Sequence, residues 1–194
     1  GPQLDADEEE EVTATSALHD GMLPAREVTS VDTWKAVNAP VQSKAGRRSA
    51  AIYQNVIDQF ACAYNQRYVV EDHTRSKTHI FVWDVTRAMS CEIPHFVAGR
   101  ETTLGQMVDW VRFEGHTRGW RKAHAQQAAA AADRGEAVIA VPQEGKLRAL
   151  AVVRPGGLDA EGFPRVAAAI DEIGNDLPAH EALKTRLIAY YVHP

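Results

Sequence analysis

Apolar residues recur at helical three- and four-residue steps from Ser49 to about Arg134, and from Ala137 they switch to short β-branched runs. That change of period constrains the fold more than any other feature. Helices first and antiparallel strands second make an α+β order, with N-terminal helices packed on a small antiparallel sheet. Ser49 stands where an N-cap belongs, ahead of a helix carrying Ile52, Val56, Ile57 and Phe60. Thr78, Val82, Val85 and Met89 lie on one stripe, so residues 78–89 read as a second helix buried on one face and ended by Ile93-Pro94. Thr103 caps a helix through Leu104, Met107, Val108 and Val111, and the alanine-rich run 124–134 is a helix stopped by Gly135. Residues 137–141 and 147–154 then form a hairpin across Gln143-Glu144-Gly145-Lys146, its second strand closed by Pro155-Gly156-Gly157. Residues 165–170 and 186–192 supply two further strands.

A chain of 194 residues, 45% hydrophobic and 24% charged, can bury one sizeable core. Residues 1–48 read as a flexible acidic leader: Gly1-Pro2 resembles a cleavage scar, Asp5 to Glu11 is an acidic run, and no apolar period is sustained. Residues 31–34, with Val31 and Trp34, are the one point where this leader would be pinned to the domain at 49–194. A formal net charge of -5 argues against a nucleic-acid groove. No apolar run approaches the roughly 20 residues needed to cross a bilayer, and no charged n-region precedes an apolar core. Two cysteines, Cys62 and Cys91, do not make a disulfide scaffold, and the redox compartment stays open.

Several words of the sequence, taken in order, carry a family likeness. They are Ile80-Phe81-Val82-Trp83-Asp84-Val85-Thr86-Arg87-Ala88-Met89, Glu92-Ile93-Pro94-His95-Phe96, Met107-Val108-Asp109-Trp110, Gly119-Trp120-Arg121, Ala151-Val152-Val153-Arg154-Pro155-Gly156 and Tyr190-Tyr191-Val192-His193. As a set they resemble bacterial peptidoglycan amidases and endopeptidases of the papain-like (NlpC/P60 and CHAP) superfamily, over about residues 49–194. The resemblance implies a papain-like fold, a secreted or cell-envelope setting, and a Cys-Asn pair before the Ile-Phe-Val-Trp-Asp run. It also implies a Gly-His pair opening the strand into Val-Arg-Pro-Gly. In that arrangement a helix N-terminus and a neighbouring imidazole favour the thiolate, which attacks an amide carbonyl, and the histidine protonates the leaving amine. Here the cysteine position falls on Thr78, the asparagine on His79, and the glycine and histidine on Arg148 and Ala149. Both reacting groups are replaced, which implies a pseudoenzyme without catalytic residues, cofactor or metal. Its cleft would be lined by His79 and Trp83 on one side and by Arg148 on the other.

Other constellations have blander accounts. His79 as a displaced base competes with its reading as a polar first-turn residue. Cys91 and His95 are separated by the helix-breaking Pro94, and both cysteines read better as small buried hydrophobes. The eight histidines show no zinc-finger or His-Glu-x-x-His spacing, leaving His79, Asp84 and His95 as ligands only if the fold gathers them. The four tryptophans, Trp34, Trp83, Trp110 and Trp120, are core residues by default, with sugar stacking as the alternative.

Two functions from different classes follow. The first is a catalytically degenerate cell-wall hydrolase domain that binds a peptidoglycan fragment or a protein partner in or over the vestigial cleft. The second is an active peptidoglycan amidase or endopeptidase, such as a secreted antibacterial effector, with its nucleophile elsewhere at Cys62 or Cys91. An adaptor module of a larger envelope protein is a third reading.

Overall fold

A computed structural model describes residues 30–70 and 76–194; the acidic run and residues 71–75 lie outside the described residues. The architecture is α+β, as the change of period predicts. Its elements run α1 (Ala50–Asp58), α2 (Thr78–Ala88), β1 (Phe96–Val97), β2 (Arg100–Glu101), α3 (Leu104–Asp109), β3 (Arg121–Ala123), α4 (Ala125–Asp133) and β4 (Ala137–Pro142). They continue with β5 (Ala151–Leu158), β6 (Pro164–Ala167), β7 (Leu177–Pro178), α5 (Ala179–Leu183) and β8 (Ile188–His193). Strands β1 and β2 form a small hairpin of their own. The other six make an antiparallel sheet in the order β3-β8-β4-β5-β6-β7. Central β4 pairs Val138 with Val192 of β8 on one side and Ile139 with Val152 of β5 on the other. Helices α1, α2 and α4 pack on β5. No helix among the described residues is long and apolar enough to cross a membrane.

The helix boundaries follow from their caps. Ser49 accepts the N–H of Ile52, as its position predicts. Thr103 and Gln106 form a capping box at α3, and His124 with Gln127 does the same at α4. Tyr53 of α1 reaches into the sheet: its hydroxyl donates to the Val138 carbonyl at 3.2 Å and accepts the Val138 N–H at 3.1 Å. It thereby satisfies β4 just beyond its paired residues with β5.

Four expectations need correction. Helix α2 is buried all round rather than along one stripe: every residue from Thr78 to Ala88 except Arg87 is buried. The reason lies in residues 30–48, which pack as part of the domain instead of ending it as a free leader. Val37, Ala39 and Ser43 are buried. The Gln59 side-chain amide pairs with both backbone groups of Val41, and Ser43 donates its N–H to Ala88. Next, α2 ends at Ala88 with Met89 as its C-cap, as expected over 78–89, but a left-handed turn and not Pro94 stops it. Ser90 takes a left-handed φ of 59°, while the Cys91 N–H returns to Thr86 and that of Ser90 to Arg87, a Schellman cap. The strand expected over 147–154 begins only at Ala151. Pro155-Gly156-Gly157 does not close it but lies within a register shift between Val153 and Leu158, where the two glycines take positive φ.

Candidate functional site

The start of α2 abuts the segment that leads into β5. Thr78, 1% exposed, accepts the Leu150 N–H on its Oγ1 at 2.9 Å, and Ala149 beside it is 2% exposed. Ser76 Oγ lies 2.8 Å from the same hydroxyl and accepts the Thr78 N–H at 3.2 Å. The helix N-terminus and the strand lead-in, 72 residues apart in sequence, are therefore adjacent, at about the distance one hydrogen bond spans. This contact also explains the late start of β5. Leu150 gives its N–H to a side chain, where a longer strand would give it to the ladder.

Chemically the pairing is quiet. A threonine hydroxyl needs a base to become a nucleophile, and Ala149 carries no titratable group. Neither cysteine replaces it. Both are buried free thiols, and burial pushes Cys62 and Cys91 up to about 12, the reverse of an activated thiol.

His79 and Trp83 are placed in the interior, not on an open cleft floor. His79 is 7% exposed and shares Nε2 with the Thr102 carbonyl at 3.1 Å. A carbonyl only accepts, so Nε2 carries the proton, and the bare Nδ1 is buried without a partner. Burial first, and the neighbouring His95 second, lower this imidazole to about 4, so it is neutral at physiological pH. The His95 ring lies edge-on at 5.0 Å from it and 5.1 Å from Trp83. His95 donates Nε2–H to Glu101, which also receives the Thr33 hydroxyl. Burial acts to raise the Glu101 carboxyl, but the hydrogen bonds from Thr33 and His95 outweigh it and hold it below the usual carboxylate range. Trp83 is fixed by its indole N–H to Glu92 at 2.7 Å. These contacts tie α2 to the β1–β2 hairpin and to residue 33.

Asp84 is not available as a metal ligand with His79 and His95. Its carboxylate accepts two N–H groups of Arg67, at 2.8 and 3.0 Å, and the Tyr68 hydroxyl. Arg67 is 0% exposed, and its remaining donors go to the carbonyls of Ser30, Asp32 and Lys35 at 2.8–2.9 Å. All five guanidinium donors are used. The pin on residues 31–34 is thus backbone carbonyl to arginine; Val31 and Trp34 themselves are exposed. Only Asp159, Glu161 and His180 gather as three metal-type ligands among the described residues. Their carboxylates are engaged: Asp159 accepts the N–H groups of Glu161 and Phe163, and Glu161 holds Arg186.

Arg148 alone of the expected lining residues is exposed, and it borders a cavity of about 630 Å³. Its companions there are Glu144, Gly145, Lys146, Leu183, Lys184 and Thr185. Lys184 and Thr185 could not be foreseen, because sequence gives no signal that the end of α5 meets the β4–β5 loop. Arg67 was hidden for a similar reason, since its partners are backbone atoms. No family model matches the chain, and no curated protein matches it.

Proposed function

We propose that this chain is a catalytically silent, papain-like cell-wall hydrolase domain of a secreted or envelope protein, which binds a peptidoglycan fragment or a protein partner instead of cutting. The observation that carries the reading is the meeting of Thr78 with the Ala149–Leu150 backbone. A helix N-terminus faces a strand lead-in, the arrangement that the family likeness calls for, yet the reacting thiol and imidazole are absent from it. The hydroxyl that remains is hydrogen-bonded and buried.

The test is incubation of the full chain with purified sacculi and muropeptides, with released peptide followed by mass spectrometry and bound protein by co-sedimentation. Saturable sedimentation without released peptide is expected from a peptidoglycan binder. No sedimentation leaves the protein partner, to be sought by cross-linking on the native cell surface. Peptide release that disappears on Thr78→Ala or on thiol alkylation would overturn the proposal in favour of an active amidase or endopeptidase.

A further inference from the structure

The cavity bordered by Arg148 carries three cationic side chains and one acidic one. Lys146 and Arg148 enter it from the β4–β5 loop, and Lys184 enters from the end of α5, 36 residues further along. All three are exposed, and none takes part in an ion pair or side-chain hydrogen bond among the described residues. Arg134, Arg165 and Arg186 are closed onto Glu136, Asp176 and Glu161, whereas Arg47, Arg100, Arg118 and Arg121 are exposed without an acid partner among the described residues, so what distinguishes Lys146, Arg148 and Lys184 is that they share one cavity. Three cations against the single carboxylate of Glu144 leave two positive charges in one concavity of a chain whose net charge is -5. Like charges gathered without counter-ions repel one another, and a concave wall focuses their field on whatever enters.

The geometry of the wall is set by local structure. Gly145 takes a φ of +75° at the loop tip, a turn that returns the chain toward Lys146 and Arg148. Lys184 has a φ of 57° as the left-handed cap of α5, which ends the helix there and carries the chain on into Thr185. Leu183, 2% exposed, is the sole apolar lining residue. A cavity of about 630 Å³ is within the size range of small-molecule sites, and its charged groups would set which ligand it prefers.

We propose that this pocket is a binding site for a small polyanion carrying two or more phosphate or carboxylate groups. The guanidinium fork of Arg148 takes one group through paired N–H bonds, and the two ammonium groups act as point charges on the others. Glu144 faces the ligand with the wrong sign and weakens its binding. The inference concerns the pocket alone and holds whether or not the chain is a silent hydrolase.

Calorimetric titration of the full chain with sodium pyrophosphate and with citrate tests it, with acetate as the monovalent reference. At least one polyanion is expected to bind saturably at one site, more tightly than acetate and less tightly as salt is raised. Arg148→Ala and Lys184→Ala should each weaken that binding by about tenfold or more, and Glu144→Gln should strengthen it. Lys122→Ala, removing an exposed lysine on β3, should leave it unchanged. A preference for pyrophosphate assigns a phosphate ligand and a preference for citrate a carboxylate one; either supports the site. Absence of saturable binding by both polyanions, or equal weakening by Lys122→Ala, would overturn it. The substituted side chains are exposed, and unchanged thermal unfolding will show that each variant is folded.

Discussion

Replacing Asp84 with asparagine is the most informative single perturbation of this fold. Asp84 Oδ2 and Oδ1 accept Arg67 Nε–H and Nη2–H, the Tyr68 hydroxyl adds a third bond, and both charged side chains are fully buried. Burial acts to raise the Asp84 carboxyl, and the guanidinium bonds act against it. Asparagine preserves the shape but removes the negative charge and sets an amide N–H₂ against a donor. The guanidinium is then buried without its counter-ion, since its other three partners are neutral carbonyls. Removing one member of a buried pair costs about 3–5 kcal/mol, out of a total stability on the order of 5–15 kcal/mol. For a chain of this length that lowers the melting temperature by roughly 6–20 °C.

Urea unfolding followed by circular dichroism measures the loss, and hydrogen exchange at residues 30–35 locates it. Asp84→Asn should destabilise the whole domain. Arg67→Met should in addition raise exchange at 30–35, because the carbonyls of Ser30, Asp32 and Lys35 lose their donor. Arg67→Met combined with Asp84→Leu should recover part of the global stability but none of the protection at 30–35, since no charge is left buried yet the clamp is gone. A loss below about 1 kcal/mol for Asp84→Asn would refute the reasoning, because it would mean that the guanidinium is solvated and not clamped.

Thr78→Val keeps the side-chain shape but deprives the buried Leu150 N–H of its acceptor, and is expected to cost about 1–3 kcal/mol in the same unfolding assay. The His79 imidazole is lowered to about 4 in the fold against about 6.5 unfolded, so the unfolded chain binds the extra proton between those values. Stability is therefore full above pH 6.5 and falls by up to about 3 kcal/mol as pH drops to 4; unfolding of His79→Asn across that range should show a flatter profile. Cys62 and Cys91 should resist a disulfide reagent at pH 8 in the native protein and react as two thiols after denaturation.

The sequence reveals helices where capping and periodicity agree, as at Ser49, Thr103 and Gly135, because both signals are local. It reveals the β4–β5 hairpin for the same reason. What it conceals depends on atoms that all residues share. Residues 30–48 lack an apolar period, yet they are ordered through backbone carbonyls on Arg67 and a backbone pairing with Gln59. The two-residue strands β1 and β2 are too short for any period, and their hairpin is held from outside by the bond between Thr33 and Glu101. Of the candidate site, spacing alone reveals neither the meeting of Thr78 with Leu150 nor that of Arg148 with Lys184. The former was expected only through the family likeness, and the latter joins two loops with no shared pattern.

The interior around α2 gives each residue of that helix a structural role that is independent of any reaction. Phe81, Val82 and Val85 fill the core, Asp84 neutralises the buried Arg67, Trp83 packs beside His95, and Thr86 accepts the Ile93 N–H. Each of these residues has a structural role, and losing a large apolar or charged one would cost about 2–5 kcal/mol. Thr78 and Ala149 differ in kind. Thr78 contributes a hydroxyl that accepts one backbone N–H, and Ala149 only a small buried methyl group. The lead-in at Arg148 faces solvent and is free to carry charge. Stability thus accounts for α2 whether or not the domain cuts, while the exposed wall formed by Lys146, Arg148 and Lys184 is the part of this neighbourhood open to a ligand.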